Sequence, residues 1–155
     1  MKSFGRFTQF AIAISFAASL QAHSQESQPT ITGAWVKTTV PGGRVSAAYM
    51  SIKSAKPLKL MKAETPAAGI VEIHNMSMKD GVMEMKAVDS VDIPANKAVD
   101  LKPGGLHVML MKVAQPITTG DKVPLVLTFE GADKKPVVVK LDATAQEKAV
   151  VAPKS

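Results

Sequence analysis

Cysteine is absent from all 155 residues. Its absence excludes thiol nucleophiles, CxxC redox chemistry, thiolate zinc sites, iron–sulfur clusters and blue-copper centres. Aromatic residues make up only 5% of the chain, too few for a module that stacks nucleobases on rings, so nucleic acid is not an expected partner. Beyond the N-terminal segment no run is apolar enough to span a bilayer, which takes ~20 residues. No later segment shows a sustained helical period either. What remains is a chain with 46% hydrophobic and 21% charged residues. At ~150 residues per domain its length favours one domain. That is enough for a hydrophobic core that needs no disulfide or structural metal. Nine methionines against three histidines are the unusual feature.

Residues 1–22 read as a cleaved secretory signal peptide. Lys2 and Arg6 supply the positive start, Phe7 to Leu20 the apolar stretch, and small residues the cleavage site, after Ala22 or after Ser24. The apolar core from Phe10 to Leu20 is too short for a membrane anchor. The mature chain is therefore expected to be exported and soluble, periplasmic in a Gram-negative cell. Loss of Lys2 and Arg6 takes 19 basic residues to 17 against 13 acidic, a net charge of +4. The lysines are scattered and read as a solvated surface.

From Ile31 onward short runs of period two alternate with Pro, Gly and Asp breaks. Strands are expected at Ile31–Thr39, Val45–Lys53, Leu58–Glu64, Ile70–Met78, Val82–Val88, Ala98–Leu101, Leu106–Val113, Val123–Glu130 and Pro136–Leu141. Short, evenly spaced strands predict an all-β sandwich or barrel over residues 31–142. Residues 23–30 read as a flexible lead-in, and residues 143–155, without alternation, as a flexible tail. Trp35 and Tyr49 are read as core anchors with no functional role.

Six methionines (Met76, Met78, Met83, Met85, Met109 and Met111) fall between residues 74 and 111, with His74 and His107. Strand parity puts His74, Met76 and Met78 on one face, Met83 and Met85 on one face, and His107, Met109 and Met111 on one face. The opposite faces carry Val71 and Ile73, and Leu106, Val108 and Leu110. Asp80-Gly81 is a two-residue hairpin signal. It predicts Met78 opposite Met83 and Met76 opposite Met85, with His74 diagonal to Met85. A further strand carrying His107 and Met109 alongside would close a site of two imidazoles and two thioethers; parity permits that closure without requiring it. Methionine is also a common core filler. Here, however, each histidine stands two residues before a methionine on its face, while the opposite face already supplies a core.

Thioether sulfur is soft and neutral, and a ligating imidazole is neutral, so the donor type selects Cu(I) over Zn(II). Cu(I) among neutral ligands leaves only one positive charge to hold away from water. With no thiolate, a storage or carrier site fits better than an electron-transfer centre.

The chain resembles the periplasmic copper chaperones called PCuAC. Their pattern of His, ten residues, Met, twenty-one residues, His-x-Met is matched without a gap by His74, Met85 and His107-Val108-Met109. Flanking text agrees: Ala34-Trp35-Val36, Val71-Glu72-Ile73-His74-Asn75-Met76, Asp80-Gly81-Val82-Met83, Leu101-Lys102-Pro103-Gly104-Gly105 and Gly120-Asp121-Lys122-Val123-Pro124-Leu125. The resemblance implies a cupredoxin-like Greek-key β-sandwich that binds one Cu(I) per chain through His74, Met85, His107 and Met109, with Met76 as an auxiliary. It leaves Met78, Met83 and Met111 as supporting or packing residues. It also implies delivery of copper to the copper-site subunit of cytochrome c oxidase, alone or with Sco-type thiol proteins, and no enzymatic activity. Residues 143–155 contain no Met or His, so no second copper site is expected there. Three other readings compete: a copper-sequestering tolerance protein with the same site, a copper oxygenase using His23 as an N-terminal ligand, and a metal-free β-sandwich adaptor.

Overall fold

The computed structural model describes residues 28–147. The expected signal peptide (1–22) and the end of the tail (148–155) lie outside the described residues. Ten strands follow in chain order: β1 (Thr30–Lys37), β2 (Val45–Lys53), β3 (Leu58–Glu64), β4 (Ala68–Lys79), β5 (Val82–Ala87), β6 (Val91–Ile93), β7 (Ala98–Leu101), β8 (Leu106–Val113), β9 (Lys122–Gly131) and β10 (Pro136–Gln146). They pair in the order β5-β4-β8-β2-β1-β10-β9-β3-β6, with β7 against the C-terminal half of β2. The pairings are antiparallel except β1 on β10.

Period-two burial is clearest in β9, where Val123, Leu125, Leu127 and Phe129 are buried. These residues meet Val36, Ile52, Leu60, Ile73, Val108 and Leu110 in one core between the limbs of the folded sheet. Alternate burial of this kind fixes each strand's register, because a one-residue slip would turn the whole apolar set outward. Pro124 is tolerated in β9 because it lies beyond the point where β3 stops pairing, at Val126.

Three expectations are corrected. β6 has only three residues, too few to show alternation, and was not anticipated; Val91 and Ile93 are nonetheless core residues. The lead-in ends early, since Pro29 is buried and Thr30 opens β1. The tail begins late: β10 runs to Gln146, with Ala143 and Ala145 fully buried and Trp35, Val36 and Lys37 of β1 paired to residues 144–146. Residues 143–146 thus belong to the sandwich. Alanine and threonine carry little hydrophobic signal. Ending the chain at Asp142 should lower the melting temperature relative to ending it at Gln146. Phe129→Ala should cost about 3–5 kcal/mol in denaturant unfolding.

Candidate metal centre

The β4–β5 hairpin forms as its turn residues dictate. Asp80 and Gly81 both have positive φ, 51° and 77°, as a type I′ turn demands. Met78 lies opposite Met83 and Met76 opposite Met85. His74 pairs with Ala87 and is diagonal to Met85.

The closing strand is β8. Its antiparallel register on β4 sets His74 opposite His107 and Glu72 opposite Met109, with ring centroids of the two histidines 5.8 Å apart. Met76, Met85, His107 and Met109 line one open cleft of about 210 Å³. His74 borders this group through its ring contact with His107. Met78, Met83 and Met111 lie outside the cleft lining. Met111 pairs with Val45 and Ile70 farther along β8.

Each imidazole is oriented by a neighbour. His74 Nε2 donates to Glu72 Oε2 at 2.7 Å, which leaves Nδ1 as the basic nitrogen. That Nδ1 is buried and has no hydrogen-bond partner. His107 Nδ1 donates to the Gly105 carbonyl at 3.0 Å, leaving Nε2 basic. Metal-binding histidines are held in this way, one N–H tied to a carboxylate or carbonyl and the other nitrogen free. A buried nitrogen lone pair without a donor is otherwise costly, and a soft cation is a fitting occupant. Among the described residues no three His, Cys, Asp or Glu side chains converge; a donor set at this place requires the thioethers.

Burial lowers the His107 pKa below its ordinary 6.5; the Gly105 hydrogen bond opposes this and the neighbouring His74 adds to it. The ring is thus kept neutral at neutral pH, as ligation requires.

Glu72 and Gly105 had no assigned role in the sequence. Glu72 stands two residues before His74 on β4, which is the same face, and that spacing was the available signal; Gly105 precedes β8 and acts through its backbone carbonyl, which no side-chain pattern marks. Trp35 and Tyr49 are buried, as expected of core anchors, but outside the main core. They stack at 4.5 Å in a separate cluster with Ala47, and Tyr49 is 6.2 Å from His107. A bulge in β1 turns Trp35 to that face, since the β1–β2 register shifts between Thr32 and Trp35, with Gly33 at φ 61°; Tyr49 lies there by the alternation of β2, whose Ala48, Met50 and Ile52 face the main core. Tyr49 is buried there, which raises its pKa.

A family model described as LpqE-like matches residues 29–141. DR1885 from Deinococcus radiodurans is 31% identical in its apo solution structure, which covers 96% of this chain and 95% of that one at a TM-score of 0.58. The chain belongs to the LpqE-like family. A relative in Leifsonia xyli subsp. xyli, Lxx21020, carries a lipoprotein designation and is 30% identical over 82% of this chain and 78% of its own length. The solution structure of CuI-DR1885 is 31% identical, covering 84% of this chain and 85% of that one, with a TM-score of 0.54. The copper-bound PCuAC domain of PmoF2 is 19% identical, covers 77% of this chain and 94% of that domain, and has a TM-score of 0.58, a likeness of fold. This member of the family is accordingly an all-β, cupredoxin-like sandwich.

Because the folded state resists protonating His107, the unfolded chain takes up more protons on acidification. The stability contribution of neutral His107 is complete above 6.5 and is lost as pH falls through that value toward the lowered folded pKa. In imidazole NMR titration of the metal-free protein His107 should titrate below 6.5. His107→Gln should flatten the pH dependence of unfolding in the window just below 6.5.

Proposed function

We propose that this protein is an exported carrier of one Cu(I), bound by His74, Met85, His107 and Met109 with Met76 as an auxiliary, and that it hands the ion to an acceptor. The observation that carries this reading is the buried, unpartnered His74 Nδ1, on a strand whose register brings it to the second imidazole beside a thioether-lined cleft. The donors are neutral and soft, which favours Cu(I) over Zn(II) and other borderline or hard divalent ions. CuI-DR1885, at 31% identity, supports copper as the cargo. We place the protein in the periplasm, after cleavage of residues 1–22, which accords with the lipoprotein designation of Lxx21020. Among the described residues no helix is long and apolar enough to cross a membrane. The acceptor we propose is the copper site of cytochrome c oxidase, reached directly or through Sco-type thiol proteins. The protein acts by ligand exchange, with no catalytic residue.

The chemistry sets an order of release. Met85 is 45% exposed and a thioether is a weak donor, so an incoming ligand displaces it first. The buried His107 and the oriented His74 keep hold of the ion until the acceptor has taken it. Free copper is never released, and its oxidation state does not change.

Under reducing conditions one tight, colourless Cu(I) equivalent should bind. Alanine at His74 or His107 should weaken it by about 100-fold or more. Removal of the orienting carboxylate, Glu72→Gln, should cost about tenfold, within the range for such supporting groups. Met85→Ala and Met109→Ala should weaken binding strongly and Met111→Ala little; equal damage at Met111 and Met109 would refute this ligand set. Transfer to an apo oxidase copper-site domain should accelerate with acceptor concentration. A rate independent of acceptor and equal to spontaneous dissociation would identify a sequestering protein instead.

A further inference from the structure

Two methionines of the hairpin lie outside the cleft. Met78 is 58% exposed and Met83 46%, and they face each other across the two strands. The adjacent cross-strand pair on the same face is Met76 and Met85. Val88 N–H bonds to the Ile73 carbonyl at 2.8 Å, so the odd-numbered residues of β4 make the hydrogen bonds to β5. Met76 and Met78 therefore sit in the non-hydrogen-bonded pairs, where Cα atoms are ~4.5 Å apart and side chains approach most closely. β4 pairs with β8 only as far as Asn75, and Met76 N–H makes one further bond to the Gly105 carbonyl. The hairpin beyond that point projects as a two-stranded ribbon. Its methionines are not needed by the core, which is on the other side of the sheet. The charged groups of the ribbon are Lys79 and Asp80 at the turn and Glu84 with Lys86, the last two joined in an ion pair at 3.0 Å. By parity Lys79, Glu84 and Lys86 belong to the opposite face. The methionine face is thus a row of neutral, soft donors open to solvent and continuous with the cleft.

We infer that Met76, Met78 and Met83 form a second, weaker site for a soft monovalent cation, Cu(I) or Ag(I), through which the ion enters the His74–His107 centre. The role as an entry path rests on the proposed function; the binding does not. Three thioethers without an imidazole hold such an ion less tightly than the centre does. Met76 borders both sites, so the ion can pass inward by replacing one thioether with the next, then with imidazole. It stays monovalent throughout, and no electron or proton moves.

The test is an Ag(I) titration of the purified protein, followed by native mass spectrometry and by fluorescence of Trp35, the single tryptophan, which stacks on Tyr49 beside His107. Wild type should take up two Ag(I), the second weaker by about tenfold or more, as expected of a set without nitrogen donors. Met78→Leu/Met83→Leu changes exposed positions to a side chain of similar size. It should retain the tight ion, lose the weak one and load the tight site several-fold more slowly. His74→Ala/His107→Ala should lose the tight ion and keep the weak one. Saturation of wild type at one ion, or retention of both ions by the leucine variant, would overturn the hairpin site. An unchanged loading rate in that variant would overturn the entry path. If the leucine variant loses the weak ion while the histidine variant keeps both, the hairpin site holds and the His74–His107 centre is refuted.

Discussion

The antiparallel register of β4 on β8 sets His74 directly opposite His107, and the proposed metal centre depends on it. The register is held from the opposite face, where Ile73 of β4 and Val108 and Leu110 of β8 are buried in the core. A slip of one residue would expose all three and bury both histidines. A slip of two would keep the faces but part the rings. The apolar packing of the sandwich is therefore what positions the polar site on its outer surface.

The same strand geometry prepares the imidazoles for a soft ion. Glu72, two residues upstream on β4, and Gly105, in the loop just before β8, take one N–H from each ring and so determine which nitrogen is free. Burial keeps His107 neutral. In the proposed centre the thioethers would supply the remaining donors without adding charge. Such a site favours an ion of low charge and high softness, because every donor is neutral and a higher charge would meet no compensating anion among the ligands.

The outer face of the sheet is usually left to solvent, but here β2 is buried on both sides from Ser46 to Met50. The cause is the bulge at Gly33, which puts Trp35 over Tyr49. This aromatic pair backs His107 and lowers water access to one wall of the centre. The other wall, the β4–β5 ribbon with Met85 at 45% exposure, stays open. A centre closed on one side and open on the other suits an ion that must be held and then given up.

Much of this was legible in the sequence because it is local. Period-two alternation identified most of the strands, and Asp80-Gly81 determined the hairpin and with it the Met76–Met85 and Met78–Met83 pairs. The spacing of His74, Met85, His107 and Met109 marked the family and a candidate donor set. Three-residue β6 and the alanine-rich end of β10 escaped notice, since neither carries enough hydrophobic contrast to register as a strand. Parity allowed β8 to lie beside β4 but could not choose that neighbour. Nor could it foresee that a bulge near Gly33 would turn Trp35 from the main core onto Tyr49. Strand pairing across thirty residues and more is decided by the packing of the whole apolar core, so the sequence by itself determined the candidate donors and their faces, while the tertiary structure decided that the two imidazoles meet.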